Sequence, residues 1–336
     1  MSLLNRSGHV AVLFKDALII WGGNHNATGG SRNRCDPTLV TYHKNGEWYT
    51  KHTFGDIPKS SANTTAVVIN DNLFIVGGYK LDNVQLLSSL VYSLDLTNWK
   101  WTMLAQDEGC SVTFVLPCFY HTSWVYDGNI YLFGEAVYPS TYDEIEKSMG
   151  LFRFSLASNQ WERLLSTGDI PSPRYGYKTI MKDDQVFLFG GFVSSSTTPP
   201  YCALNDLYML DMTSLQWKLL HGPTFETETL LVPRPRVRHT LTVISESTAV
   251  LIGGFNNRGY NEDCWLLDLE KARRCHDPPS MWIRFRDDTY MTSARFLDFW
   301  TPFPLVCNFM QPPLLILLIA PAFEGTSSPS VRSSHK

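Results

Sequence analysis

Five arginines stand where they could grip a carboxylate: Arg6, Arg174 and the three in the run Pro233-Arg234-Pro-Arg236-Val-Arg238. Each guanidinium presents a planar fork of N–H donors that can hold a carboxylate through two hydrogen bonds. Several converging on one point would therefore read acidic side chains or a free chain terminus. The competing role is local: pairing with nearby acids or backbone carbonyls. For Arg6 and Arg174 both roles stay open, whereas three arginines in five residues exceed structural need. Tyr79, Phe192 and Phe255 each follow a glycine pair and would set aromatic anchors beside these cations, the usual make-up of a protein-binding hot spot.

Other chemistry finds little footing. The nine histidines contain no pair at i, i+4, and no H-E-x-x-H, G-x-S-x-G, P-loop or G-x-G-x-x-G motif occurs. His9, His121 and His239 read as structural histidines. The adjacent acids Asp183-Asp184 and Asp287-Asp288 read as solvated turns, not a catalytic pair. Seven cysteines, odd in number and without a C-x-x-C pair, read as reduced thiols of a cytosolic or nuclear protein. No catalytic residue, metal or cofactor is expected.

A formal net charge of −4 over 336 residues is too mild to favour nucleic acid or an anionic membrane as partner. The opening Met1–Arg6 lacks the apolar stretch of a signal peptide, so a cytoplasmic or nuclear location is expected. The sequons at Asn5, Asn26 and Asn63 then read as chance matches.

The elements that must position the arginines announce themselves as a repeat. Apolar runs ending in glycine recur: Ala17–Gly23, Leu73–Gly78, Ile130–Gly134, Val186–Gly191 and Val250–Gly254. Their first glycines lie 55, 57, 56 and 63 residues apart. Each run has the length of a buried strand and is too short for a helix. A Tyr- or Trp-bearing strand with Leu-Asp follows three of them, as in Val91–Asp95, Leu207–Asp211 and Cys264–Asp268. A tryptophan then comes 24 to 29 residues beyond the first glycine: Trp48, Trp101, Trp161, Trp217 and Trp282. Each unit reads as four short strands, and one such sheet cannot bury both faces alone, so the units must stack around an axis.

Hydrophobic-Gly-Gly, spaced Tyr and spaced Trp resemble the kelch repeat, over roughly residues 6–282. The resemblance implies an all-β kelch β-propeller with five recognisable four-stranded blades and a sixth that is divergent or missing. It also implies a protein- or peptide-binding module that uses one loop face. Arg6-Ser-Gly-His-Val-Ala-Val12 with Trp21-Gly-Gly23, and Asn205-Asp-Leu-Tyr208, are similar to kelch substrate receptors of cullin–RING ubiquitin ligases that read client C-termini. By that resemblance the partners would be peptides with acidic groups or a free C-terminus, together with Elongin and cullin subunits. Departures count against carrying the client specificity over: Phe192 and Ala203 stand where those receptors carry arginine. Nor does an Elongin-docking box follow Trp282. The alternative is a cytosolic kelch scaffold in cytoskeletal or trafficking roles, without a ligase. The Glu-x3-Asp-x3-His pattern of iron-dependent kelch proteins is missing.

The third unit has Glu135 in place of its second glycine. Beyond Trp282 the pattern stops, and Phe299–Phe323 carries no charge and five prolines. The expected domains are a propeller over 1–282, a degenerate final blade or non-homologous apolar tail over 283–323, and a disordered tail over 324–336. A membrane anchor is the third possibility for the apolar stretch, but a spanning helix needs ~20 apolar residues and prolines interrupt this one.

Overall fold

A computed structural model describes residues 6–7, 9–25, 34–35, 39–43, 47–58, 64–78, 90–105, 121–138, 146–193, 202–223, 231–274 and 278–285. Tyr79, Asp287-Asp288, the side chain of Arg6 and the tail beyond 285 lie outside the described residues.

The chain is an all-β propeller of five four-stranded antiparallel blades. Blade 1 comprises Val10–Phe14, Ala17–Trp21, Leu39–His43 and Trp48–Lys51. Blade 2 comprises Thr65–Ile69, Asn72–Val76, Val91–Asp95 and Lys100–Ala105. Blade 3 comprises Thr122–Tyr126, Asn129–Tyr138, Glu146–Ser155 and Gln160–Leu164. Blade 4 comprises Lys178–Lys182, Gln185–Val193, Cys202–Asp211 and Gln216–His221. Blade 5 comprises Thr240–Val243, Thr248–Ile252, Cys264–Asp268 and Trp282–Arg284. In every blade the strands run inner to outer in chain order, and each pairs with the next.

The recurring tryptophans fasten one blade to the one before it. Trp101 of blade 2 meets Trp21 of blade 1 at 5.9 Å between ring centroids. Trp217 of blade 4 meets Phe133 of blade 3 at 4.8 Å, and Trp282 of blade 5 meets Phe189 of blade 4 at 5.1 Å. Four apolar clusters, one between each consecutive pair of blades, form the core. Aromatic rings suit these wedges because each buries a large area in one rigid piece.

The Leu-Asp element has a local reason. Asp95 accepts from the backbone N–H of Thr97 at 2.8 Å, and Asp211 accepts from that of Thr213 at 2.8 Å. These side-chain turns reverse the chain toward the Trp-bearing strand. In blade 5 the same aspartate, Asp268, accepts from Lys271 N–H at 3.0 Å and starts a helix instead. Two short helices, α1 (Leu269–Arg274) and α2 (Pro278–Met281), fill the step before Trp282. The strand reading of the repeat did not anticipate them.

Glycine placement explains where strands end. In blade 2 the strand stops at Val76, and Gly77 and Gly78 take φ of 66° and 96°, a region open to glycine at little cost. In blade 3, with Glu135 in the second position, the chain does not turn there and the strand continues to Tyr138. Blade 4 departs in another way: its strand passes through the glycine pair with a shift of register and runs on to Val193.

The linker motifs Gly55-Asp-Ile-Pro58 and Gly168-Asp-Ile-Pro171 are latches. Phe54–Gly55, leaving blade 1, pairs in parallel with the outer strand of blade 2, and Thr167–Gly168, leaving blade 3, does so with blade 4. Asp169 closes the latch, donating from N–H to the Trp217 carbonyl (2.9 Å) and accepting at its carboxylate from Leu219 N–H (3.0 Å). Asp56 repeats both bonds on Trp101 and Met103, each at 3.1 Å.

Candidate partner-binding face

The loops that enter the inner strands of blades 4 and 5 lie side by side. Arg238 N–H donates to the Gly176 carbonyl (2.8 Å), and Gly191 N–H donates to the Arg236 carbonyl (3.0 Å). Each loop also bridges its own post-glycine residue, Tyr175 with Phe192 and Val237 with Phe255. The result is one contiguous surface on a single edge of the ring.

Two of the five arginines are committed below that surface. Arg174, 2% exposed, donates to Asp206 at 2.6 Å, to the Gly190 carbonyl at 3.1 Å and to the Ser172 carbonyl at 3.0 Å. Arg236, fully buried, makes the same set in blade 5. It donates to Asp263 at 2.6 and 2.9 Å, to the Gly253 carbonyl at 3.0 Å and to the Arg234 carbonyl at 2.9 Å. Both guanidinium groups tie the loop, the Gly-Gly strand and the head of the third strand together within one blade. For Arg174 and Arg236 the local role therefore accounts for the side chain, and neither is presented to a partner. Burial alone would raise the Asp263 carboxyl, but the Arg236 hydrogen bonds and charge prevail and hold it below the usual range.

Arg234 and Arg238 differ. Arg234 is exposed and Arg238 partly so. The backbone that carries them is pinned on both sides: Asn205 donates to the Pro233 carbonyl at 2.9 Å and Asn256 to the Pro235 carbonyl at 2.9 Å. The Arg238 guanidinium sits over the Phe255 ring at 5.7 Å. Phe255 in turn meets Tyr260, 57% exposed, edge-on at 6.2 Å. One blade away, Tyr175 and Phe192 pack at 5.1 Å. Among the sequence candidates the structure brings Arg238 against Phe255, carries Arg234 on the same loop and places Phe192 on the neighbouring blade. Of Arg6 it describes the backbone, paired with His25.

Tyr175, Tyr260 and the supporting Asp206, Asp263, Asn205 and Asn256 were not singled out by sequence reasoning. The repeat itself held the signal for the carboxylates. Asp206 lies 16 residues beyond Gly190, and Asp263 lies 10 beyond Gly253, each shortly before its Leu-Asp strand.

His121 and His239 are interior groups. His121 is pushed down to about 4 by burial, against a hydrogen bond from Nε2 to the Val76 carbonyl. His239, 1% exposed and edge-on to Phe189, is held well below its ordinary value by burial first, then by the charges of Arg236 and Lys178. The Cys264 thiol, a free cysteine, is raised to about 11 by burial and then by Asp263. Among the described residues no group of three or more His, Cys, Asp or Glu could hold a metal ion, and no helix is long and apolar enough to cross a membrane.

Residues 8–149 and 140–281 match the KLHDC2/KLHL20/DRC7 Kelch-repeats domain. The chain belongs to the kelch-repeat family. It is 28% identical to Acyl-CoA-binding domain-containing protein 4 of Arabidopsis thaliana, over 67% of this chain and 32% of that protein. It is 25% identical to Host cell factor 2 of Homo sapiens, over 79% of this chain and 32% of that one. With Kelch domain-containing protein 2 of Bos taurus the identity is 25%, over 83% of this kelch chain and 69% of the relative. The kelch chain spans about a third of the length of the first two relatives, 32% in each case. A kelch propeller suggests a protein–protein interaction module.

Proposed function

We propose that this kelch propeller recognises a peptide or protein segment carrying a carboxylate, whether an acidic side chain or a free C-terminus, on the loop face of blades 4 and 5. One observation carries the reading: part-exposed Arg238 sits over Phe255 of the Phe255–Tyr260 ring pair, on a pinned backbone that also carries exposed Arg234, with the Tyr175–Phe192 pair on the neighbouring blade. Rings exclude water around the contact while the guanidinium supplies directional charge-assisted hydrogen bonds. A pinned backbone loses little conformational freedom on binding, so more of the contact energy appears as affinity.

The propeller would work in the cytoplasm or nucleus. The finer reading is a substrate-recognition subunit of a ubiquitin ligase assembled with Elongin and cullin. Asn205-Asp-Leu-Tyr208 supports it through its likeness to such receptors. A scaffold without a ligase is favoured instead by the breadth of the relatives, which include proteins named for acyl-CoA binding and for host cell factor.

Quantitative affinity purification of the full chain and of the Arg234→Ala/Arg238→Ala double variant tests the face. Partners recovered with the parent should fall at least about tenfold with the variant, each ion pair of this type contributing ~1 kcal/mol or more. Unchanged recovery from an equally folded variant would overturn the site. Elongin and cullin among the recovered proteins would support the ligase, and their reproducible absence would leave the scaffold.

A further inference from the structure

The inner strands of consecutive blades lie side by side, and polar groups join them. In each blade one inner-strand residue pairs with the residue just before the first glycine: Val10, Thr65, Thr122, Lys178 and Thr240. The Thr65 hydroxyl meets that of Ser123 in the following blade at 2.6 Å, and the Thr122 hydroxyl meets that of Thr179. Ser123 and Thr179 each stand one residue further along their strands, and in blade 5 that place belongs to Leu241. By the same register the junction of blades 4 and 5 sets Lys178 opposite Leu241, where the two preceding junctions hold paired hydroxyls.

Lys178 stands in a positive neighbourhood. Its charge acts on His239 of blade 5, together with that of Arg236. A Cβ on Gly176, two residues earlier, would meet Val237 Cβ at 3.3 Å and Arg238 Cγ at 3.6 Å. Two residues of chain span at most about 7 Å, so the stem of Arg238 runs along the same junction just above Lys178. The carboxylates beneath the face are already engaged, Asp206 by Arg174 and Asp263 by Arg236. Among the described residues no acid acts on Lys178, which is only partly exposed, and burial holds its ammonium below the ordinary value. A cation kept from water without a counter-charge is costly, and an entering anion relieves that cost.

We propose, resting on the carboxylate reading of this face, that Lys178 is the inner contact for the partner's carboxylate, below Arg238 where blades 4 and 5 meet. An ionised carboxylate offers two oxygens with about four lone-pair sites, enough to accept from more than one cation at once. The guanidinium at the entrance supplies direction, and the ammonium below it supplies a compact point charge. The ligand class is a peptide carboxylate, either the free α-carboxylate of a chain end or the side chain of an Asp or Glu. With no anion bound, Lys178 weighs against folding.

Two small probes separate the sources: N-acetylglycine carries a free α-carboxylate, and N-acetylaspartic acid α-amide carries a side-chain carboxylate. Calorimetric titration of the full chain with each, sodium chloride holding the ionic strength constant, should give a saturable isotherm with at least one. The probe that binds names the source. Lys178→Met should weaken that binding at least about tenfold. It should also melt no lower than the parent, because it removes an uncompensated charge. Lys182→Met removes the same charge from the exposed end of the same strand, paired there with Glu246, and should stay within about twofold of the parent. No saturable binding of either probe, an unchanged affinity in Lys178→Met, or a Lys178→Met chain that melts well below the parent would overturn the assignment. Loss of binding in Arg234→Ala/Arg238→Ala with none in Lys178→Met would overturn Lys178 and leave the loop face standing. The reverse would keep Lys178 and remove the loop arginines from the site.

Discussion

Arg236 holds Asp263 through two hydrogen bonds, 2.6 and 2.9 Å, while the second of those carboxylate oxygens also accepts from the Trp265 indole at 2.7 Å. The pair fixes the loop that carries Arg234 and Arg238. Removing one member strands the other as a buried charge, so Asp263→Ala should cost about 3–5 kcal/mol. Replacing both, as in Arg236→Met with Asp263→Leu, should recover much of that. Denaturant melts of the two single variants and the double variant measure it, and additive losses would contradict the pairing.

The partner face should separate from the fold. Arg234→Ala should leave stability within about 0.5 kcal/mol, because the side chain is exposed. Phe255→Ala should weaken partner binding by about 1–2 kcal/mol while removing the ring beneath Arg238. Titration calorimetry with a partner peptide, beside a thermal melt, distinguishes the two effects.

A Cβ on Gly168 would sit 2.2 Å from the Trp217 carbonyl oxygen, at a φ of +81°. Gly168→Ala should therefore open the latch on blade 4 and cost about 1–3 kcal/mol. At Gly222 an added Cβ would meet no heavy atom within 4 Å, so Gly222→Ala should stay within about 0.5 kcal/mol. A similar loss at both glycines would refute the latch.

Acid should loosen the propeller through its interior histidines. His121 is neutral in the fold down to about 4, whereas an unfolded histidine takes its proton near 6.5. Between those values only the unfolded chain binds the proton, so stability is flat above pH ~6.5 and declines as the pH falls toward 4. The loss should be of order 1–3 kcal/mol, with His239 adding in the same direction. Melts at pH 7.5 and 5 test this, and His121→Gln should flatten part of the slope.

Cys264 should resist alkylation at neutral pH, since a thiol raised to about 11 offers little thiolate. Iodoacetamide labelling followed by peptide mapping, native against urea-unfolded, should show modification at Cys264 only after unfolding.

The blades were legible from the sequence because their markers are packing necessities. Trp101, Trp217 and Trp282 fill wedges, and Asp95 and Asp211 fold the turn before the outer strand, so each leaves a trace at fixed spacing. Glu135 was legible as a break, and the long strand through it is the consequence. The face was legible only in part. Arg236 and Arg238 look alike in sequence, and plain alternation would put both on one side; the chain instead takes a left-handed φ of 53° at Arg238, with Arg236 turned inward to Asp263 and Arg238 beside Phe255. Which arginine finds a carboxylate depends on Asp206 and Asp263 arriving from another strand, 32 and 27 residues away along the chain. Helices α1 and α2 stayed hidden because Asp268 can begin a helix as readily as a turn.

The latches set where this chain tolerates interruption. Gly55 leaves the exit port with blade 1 already behind it, but its hydrogen-bonding mate, Trp101, emerges only when blade 2 is complete. A break inside a blade forfeits that blade together with the clasp waiting for it, whereas a break just ahead of a Gly-Asp-Ile-Pro segment removes whole units cleanly. Insertions, permuted termini and exon joints should accordingly be accommodated just ahead of those four-residue segments and not within them.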